Sequence, residues 1–160
     1  MSILLVGVGG LAASNRQGEI IKTIALGSCV GAVFHAPRHR AAGLIHIALP
    51  DSGINPELAA QRPGYFADTG IPLILGQMSR YGCPPGQLSV KLVGGAAIMD
   101  PDNNFNIGRR NLLAVKKILW RYGLDPVGED VGDNFSRTVA VDVATGVVTI
   151  TSPGRKNMVI

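Results

Sequence analysis

The apolar residues of this chain come in short runs, and glycine, proline or a basic turn cuts almost every one. Residues 3–7, 21–26, 30–35 and 43–49 are aliphatic stretches of strand length, bounded by Gly, Pro or the polar turn Ala36-Pro37-Arg38-His39-Arg40. With 21 glycines and 10 prolines among 160 residues, room for a helix remains in two places. Residues 65–81 set Phe66, Leu73, Ile74, Met78 and Tyr81 near a 3.6-residue period, with Pro72 placed to bend or delay the helix and Gly82 and Pro84-Pro85 to stop it. Residues 111–122 align Leu112, Val115, Leu119 and Tyr122 on one stripe. Arg109, Arg110, Lys116, Lys117 and Arg121 lie on other faces, and Gly123 closes the end. Strands are predicted at 88–93, 138–143 and 147–151, the last two joined by Ala144-Thr145-Gly146 as a hairpin. Strands at both ends with two helices between them predict a mixed α/β (α+β) fold, not a regular βαβ array.

Composition excludes several classes. A chain that is 46% hydrophobic and 16% charged is too apolar for disorder. Its longest apolar stretches, 3–8 and 41–49, fall far short of the ~20 residues of a membrane span. Its length predicts one domain, residues 1–160, able to bury a core without disulfide or structural metal. Two cysteines, Cys29 and Cys83, and no basic segment before the N-terminal apolar run predict a cytoplasmic protein with reduced thiols. The net charge of +4 is spread out and aromatics make up only 5%, which argues against nucleic-acid binding. The distribution is uneven. Residues 1–50 hold one acid, Glu19, beside Arg16, Lys22, Arg38 and Arg40, whereas Asp125, Glu129, Asp130 and Asp133 crowd a short stretch.

Gly7-Val8-Gly9-Gly10-Leu11-Ala12 matches the spacing of a dinucleotide-binding turn, but no helix pattern follows it. No acid lies between Glu19 and Asp51 to meet a ribose, so a plain glycine-rich turn is expected. His35 and His39 are four apart with Pro37 between them, and neither cysteine has a C-x-x-C partner; no metal and no cofactor is expected. One constellation survives. Cys29 follows an apolar strand and Gly27-Ser28, where backbone N–H groups can hold an oxyanion. His46 is polar in the middle of an otherwise apolar strand, where it must find partners. A thiol and an imidazole on adjacent strands are the two parts of a cysteine hydrolase, and the basic surroundings would favour the thiolate. Acids are scarce near His46, so Thr23 is the candidate to orient the imidazole, through its hydroxyl or its carbonyl oxygen. On chemistry alone the structural alternative stands beside this: cysteine is often simply buried, and a strand histidine is often a hydrogen-bonded core residue. Cys83, in a Gly-Pro loop, reads as structural.

At these residues the sequence resembles the chemoreceptor glutamine deamidases called CheD. The resemblance runs nearly end to end, through Leu26-Gly27-Ser28-Cys29-Val30, Ile45-His46-Ile47-Ala48-Leu49-Pro50 and Tyr65-Phe66-Ala67-Asp68-Thr69. It continues through Lys91-Leu92-Val93-Gly94-Gly95-Ala96, Ile107-Gly108-Arg109-Arg110-Asn111 and Glu129-Asp130-Val131-Gly132. It implies a three-layer α/β/β sandwich similar to the catalytic domain of cytotoxic necrotizing factor toxins. It also implies hydrolysis of receptor glutamine side chains to glutamate with release of ammonia, and in some members of glutamyl methyl esters. By the same resemblance the nucleophile falls on Cys29, the histidine on His46 and the threonine on Thr23, with backbone N–H groups at Ser28 and Cys29 as oxyanion donors. The implied partners are methyl-accepting chemoreceptor helices and a CheC-type phosphatase that competes for the same surface. The alternative is a non-catalytic module that regulates such a phosphatase, which would need none of the three residues. The basic first third would attract acidic receptor helices, unless Arg38 and Arg40 are merely solvated turn residues. Two positions depart from the family pattern: Asp133 stands where a glycine is usual, and Gly70 where alanine is expected.

Overall fold

Residues 30–47 are apolar on both sides of their strands, so a sheet built from them needs a cover on each face. The computed structural model, which describes residues 2–98 and 105–160, supplies both covers. Its elements run β1 (Ser2–Val6), β2 (Leu11–Ser14), β3 (Glu19–Leu26), β4 (Val30–Ala36), β5 (Ala41–Ile47), α1 (Pro56–Gln61) and α2 (Ala67–Arg80). They continue with β6 (Ser89–Gly94), α3 (Ile107–Arg121), β7 (Pro126–Val131), β8 (Arg137–Asp142), β9 (Val148–Thr151) and β10 (Met158–Val159). One sheet has the order β2-β5-β4-β6-β7 and the other β1-β3-β8-β9-β10.

Alternation along the strands assigns the layers. Phe34 on β4, Ile45 and Ile47 on β5 and Leu92 on β6 pack against Ile71, Ile74 and Met78 of α2 and Val115 and Leu119 of α3. Val33, Leu44 and Val93, on the opposite face, meet Ile21, Leu26, Val139, Val141 and Ile150 of the second sheet. The layers are therefore helices, sheet and sheet, the α/β/β order expected. Each of these large side chains leaves water almost completely, worth about 1.5–3 kcal/mol apiece before chain entropy is counted.

Three strands escape the sequence reading: β2, β7 and β10. All are short or lie at a sheet edge, where burial is partial and the apolar signal weak. The helix α3 starts four residues earlier than predicted, after Asn106 in the left-handed region (φ 52°). Its buried face is Asn111, Val115, Ile118 and Leu119, while Tyr122 is exposed. Pro72 lies within α2 on its exposed side, so the Asp68 carbonyl it leaves without a donor can turn to solvent. Gly70 faces β5 so closely that a Cβ would come within 2.8 Å of Ile45 Cδ1, which gives this departure a packing reason. The glycine-rich segment after β1 is a turn into β2 and opens no helix. Among the described residues, no helix is long and apolar enough to cross a membrane.

Candidate active site

The glycine-rich turn is tied to His46. Gly9 N donates to the His46 carbonyl at 2.8 Å, and His46 N donates to the Gly10 carbonyl at 3.0 Å, fixing the backbone of β5 at this point. On β4 the residue opposite His46 is Gly31, where a Cβ would come within 3.0 Å of Leu26 Cδ1 from the second sheet. The ring points into the layer between the sheets and is 1% exposed. From the other sheet, Thr23 on β3 reaches it: Thr23 Oγ1 and His46 Nδ1 are 2.7 Å apart. Thr23 is fully buried, and its hydroxyl also lies 2.6 Å from the Val6 carbonyl of β1.

These two contacts determine a tautomer. A carbonyl can only accept, so the single hydroxyl proton of Thr23 goes to Val6. Toward His46 the same oxygen can then only accept, which places the ring proton on Nδ1 and leaves Nε2 with its lone pair. Thr23 thus meets the ring through its hydroxyl, one of the two routes the sequence left open. Nε2 is buried with no hydrogen-bond partner among the described residues. No hydrogen bond joins the Cys29 thiol to Nε2 among the described residues.

Cys29 closes a three-residue loop between β3 and β4 and is half-buried. All three carbonyls of the loop are tied down from behind. Ala96 N donates to Gly27 at 2.9 Å and Gly95 N to Cys29 at 2.8 Å, while Asn111 Nδ2 donates to Ser28 at 2.9 Å and also to the Ala48 carbonyl at 3.0 Å. Such close approach needs glycine: Gly94 has φ +109°, and a Cβ on it would collide with the Cys29 carbonyl.

The front of the loop opens into a pocket of about 710 Å³. Ile98, Phe105, Arg109, Gly132 and Asp133 line it with Cys29. Much of the acidic cluster is spent on shaping its rim. Buried Arg137 donates to Asp130 at 3.0 Å and to the Gly132 carbonyl at 2.9 Å, and Glu129 pairs with Lys116 at 2.8 Å. Asp133 has φ 57°, and its carbonyl accepts from Ala97 N at 2.9 Å. This left-handed conformation is the one glycine enters freely and aspartate tolerates better than most residues.

Electrostatics correct one expectation. Burial raises the Cys29 thiol above its usual range, only partly offset by its own N–H, so the thiolate is not favoured at rest. Arg38 and Arg40 follow the far end of β4, a seven-residue strand that starts next to Cys29. At ~3.3 Å per residue they are roughly 23 Å away, beyond two Debye lengths at physiological salt. The cation at the pocket is Arg109. Burial also pushes His46 down to about 4, so both groups are neutral near pH 7. Cys83 is fully buried within the helix-side core, with its thiol raised by burial.

Asn111 is the site residue that sequence reasoning missed. Its signal was available: a polar residue four positions before Val115, in phase with the apolar stripe of α3.

Comparison with known proteins gives a consistent family. Residues 48–152 match the family described as CheD chemotactic sensory transduction. A probable chemoreceptor glutamine deamidase CheD of Syntrophotalea carbinolica is 51% identical over 97% of this chain and 97% of its own. A second, from Syntrophus aciditrophicus, is 38% identical over 96% of each. The chemoreceptor glutamine deamidase CheD of Thermotoga maritima is 33% identical over 94% of this chain and 92% of its own. The family match begins after Thr23, Cys29 and His46, whereas the relatives align with nearly the whole chain.

Proposed function

The chain belongs to the CheD family, and on that premise we propose that it hydrolyses glutamine side chains of chemoreceptors to glutamate, with Cys29 as nucleophile, His46 as base and acid, and Thr23 as the residue that orients His46. The observation that carries this reading is the committed Thr23 hydroxyl, which leaves His46 Nε2 as a lone-pair base beside the loop of a half-buried thiol.

The steps follow from neutral starting groups. As the carboxamide enters the pocket, Nε2 takes the Sγ proton and the sulfur bonds to the carboxamide carbon. The carbonyl electrons move onto oxygen, which the Cys29 N–H meets. Nε2–H then gives its proton to the amide nitrogen, the C–N bond breaks, and ammonia leaves a thioester. Water attacks the thioester, passing one proton to Nε2, and collapse returns that proton to sulfur and frees the glutamate carboxyl. Throughout, Nδ1–H stays on Thr23, so the imidazolium is stabilised by a neutral acceptor.

The reading includes a single CheD-like domain over residues 1–160, a cytoplasmic setting that keeps the thiol reduced, and a CheC-type phosphatase as a competitor at the pocket. The decisive experiment incubates the protein with a receptor cytoplasmic fragment and follows ammonia release and the mass of the receptor peptides. Conversion of glutamine to glutamate is expected, and its abolition in Cys29→Ala. Persistent deamidation by Cys29→Ala would overturn the assignment of the nucleophile, and a wild-type protein without turnover would overturn the reaction.

A further inference from the structure

Asn111 is fully buried on α3, at a position where packing alone asks for an aliphatic side chain. Both of its amide hydrogens are used, on the carbonyls of Ser28 at 2.9 Å and Ala48 at 3.0 Å. Its Oδ1 is buried without a partner among the described residues, a cost an apolar residue would avoid. The helix is brought close enough for this contact by Gly108, where a Cβ would stand 2.5 Å from the Gly95 carbonyl.

The Ser28 carbonyl belongs to the same peptide unit as the Cys29 N–H. In a trans peptide the two point in opposite directions, so holding the oxygen aims the hydrogen. Ala48, the second anchor, is two residues beyond His46, just past the end of β5 at Ile47. We infer that Asn111 is a positioning residue for the oxyanion site: it aims the Cys29 N–H at the oxygen of the tetrahedral intermediate and pins the thiol loop to the strand that carries His46. The inference rests on the deamidase reading for its reaction but not for its geometry.

Two reagents separate this role from simple support of the fold. Iodoacetamide alkylates Cys29 by displacing iodide, with no oxyanion. Butyraldehyde adds reversibly: sulfur bonds to the carbonyl carbon, and the thiol proton ends on the new hydroxyl oxygen, which occupies the oxyanion position. In Asn111→Asp, whose carboxylate faces the two carbonyls without a donor, and in Asn111→Ala, alkylation of Cys29 should stay within about threefold of wild type. Deamidation kcat should fall roughly 10- to 100-fold with KM unchanged, less than for outright removal of an oxyanion donor. Protection of Cys29 by butyraldehyde should weaken by a similar factor. Should both variants fail to fold by circular dichroism, Asn111→Ser, which keeps one donor, gives the same reading at smaller amplitude. Alkylation falling in step with kcat, or aldehyde protection unchanged, overturns the inference. A wild-type protein that binds butyraldehyde but does not turn over the receptor overturns the deamidase reading instead, and aldehyde protection in the variants still decides the role of Asn111.

Discussion

His46 and His35 occupy the same layer and look alike by most measures. Both project from the central sheet toward the second sheet, both are buried, and both have an Nε2 without a hydrogen-bond partner among the described residues. Burial lowers the basicity of each. What differs is the neighbourhood. His35 sits six residues after Cys29, about 20 Å along an extended strand. Its ring is packed under Gly146 in the turn between β8 and β9, and the Ala144 and Val143 backbone favours the protonated ring, working against its desolvation. His46 instead meets a hydroxyl whose proton is already given away, opposite a glycine and beside the thiol loop. Burial and low basicity therefore do not make a general base. The proposed base differs from His35 in its fixed tautomer and in its place beside the Cys29 loop.

The largest expected effect tests that contrast directly. His46→Gln should lower deamidation kcat by about 10³-fold, while His35→Gln should stay within a few fold; comparable losses from both would erase the distinction. Acid stability comes next. A histidine held neutral in the folded state and protonated with its ordinary value of 6.5 when unfolded stabilises the fold fully above pH 6.5. That contribution is lost as pH falls from there toward about 4, the folded value for His46. Its share is roughly 3 kcal/mol, and His35 adds to the loss in the same direction. Urea melts at pH 7 and pH 4.5 should diverge for wild type and converge substantially for His46→Gln. Thr23→Val, which removes the hydroxyl and frees the tautomer, should cost about 10²-fold in kcat, with Thr23→Ser recovering most of it; nitrogen NMR of the imidazole should show Nδ1 losing its proton preference in the valine variant. The smallest effect belongs to His35. Gly146→Ala would push a methyl into its ring at φ +75° and should destabilise by about 2 kcal/mol in thermal melts without altering kcat.

Much of this was readable in the chain. The runs around Val30 and Leu44 declare a sheet covered on both faces, and the isolation of His46 in an apolar strand marks it as polar for a reason. Residue types and order pointed to Cys29, His46 and Thr23 before any geometry. Three things were not readable. The weak edge strands β2 and β7 owe their place to their neighbours more than to their own periodicity. The thiol's environment was misjudged because charge counted along the sequence put Arg38 and Arg40 near Cys29, whereas the strand carries them to the far end. Asn111 showed in the sequence as a polar residue in phase with the apolar stripe of α3, but its partners are carbonyls, which leave no trace in residue identity.

The parallel pairing of β1 with β3, and the antiparallel pairing of β3 with β8, set Thr23 between Val6 and Val139. A ribosome therefore delivers Cys29 and His46 long before β8 (Arg137–Asp142), the second neighbour of the strand that carries Thr23. The central β4, β5 and β6 can pair while the chain is still being made, but β3 stays without one neighbour until the last fifth of the sequence has emerged. A chain stopped before β8 therefore already carries the cysteine, the histidine and the threonine, but leaves one edge of β3 without its neighbour.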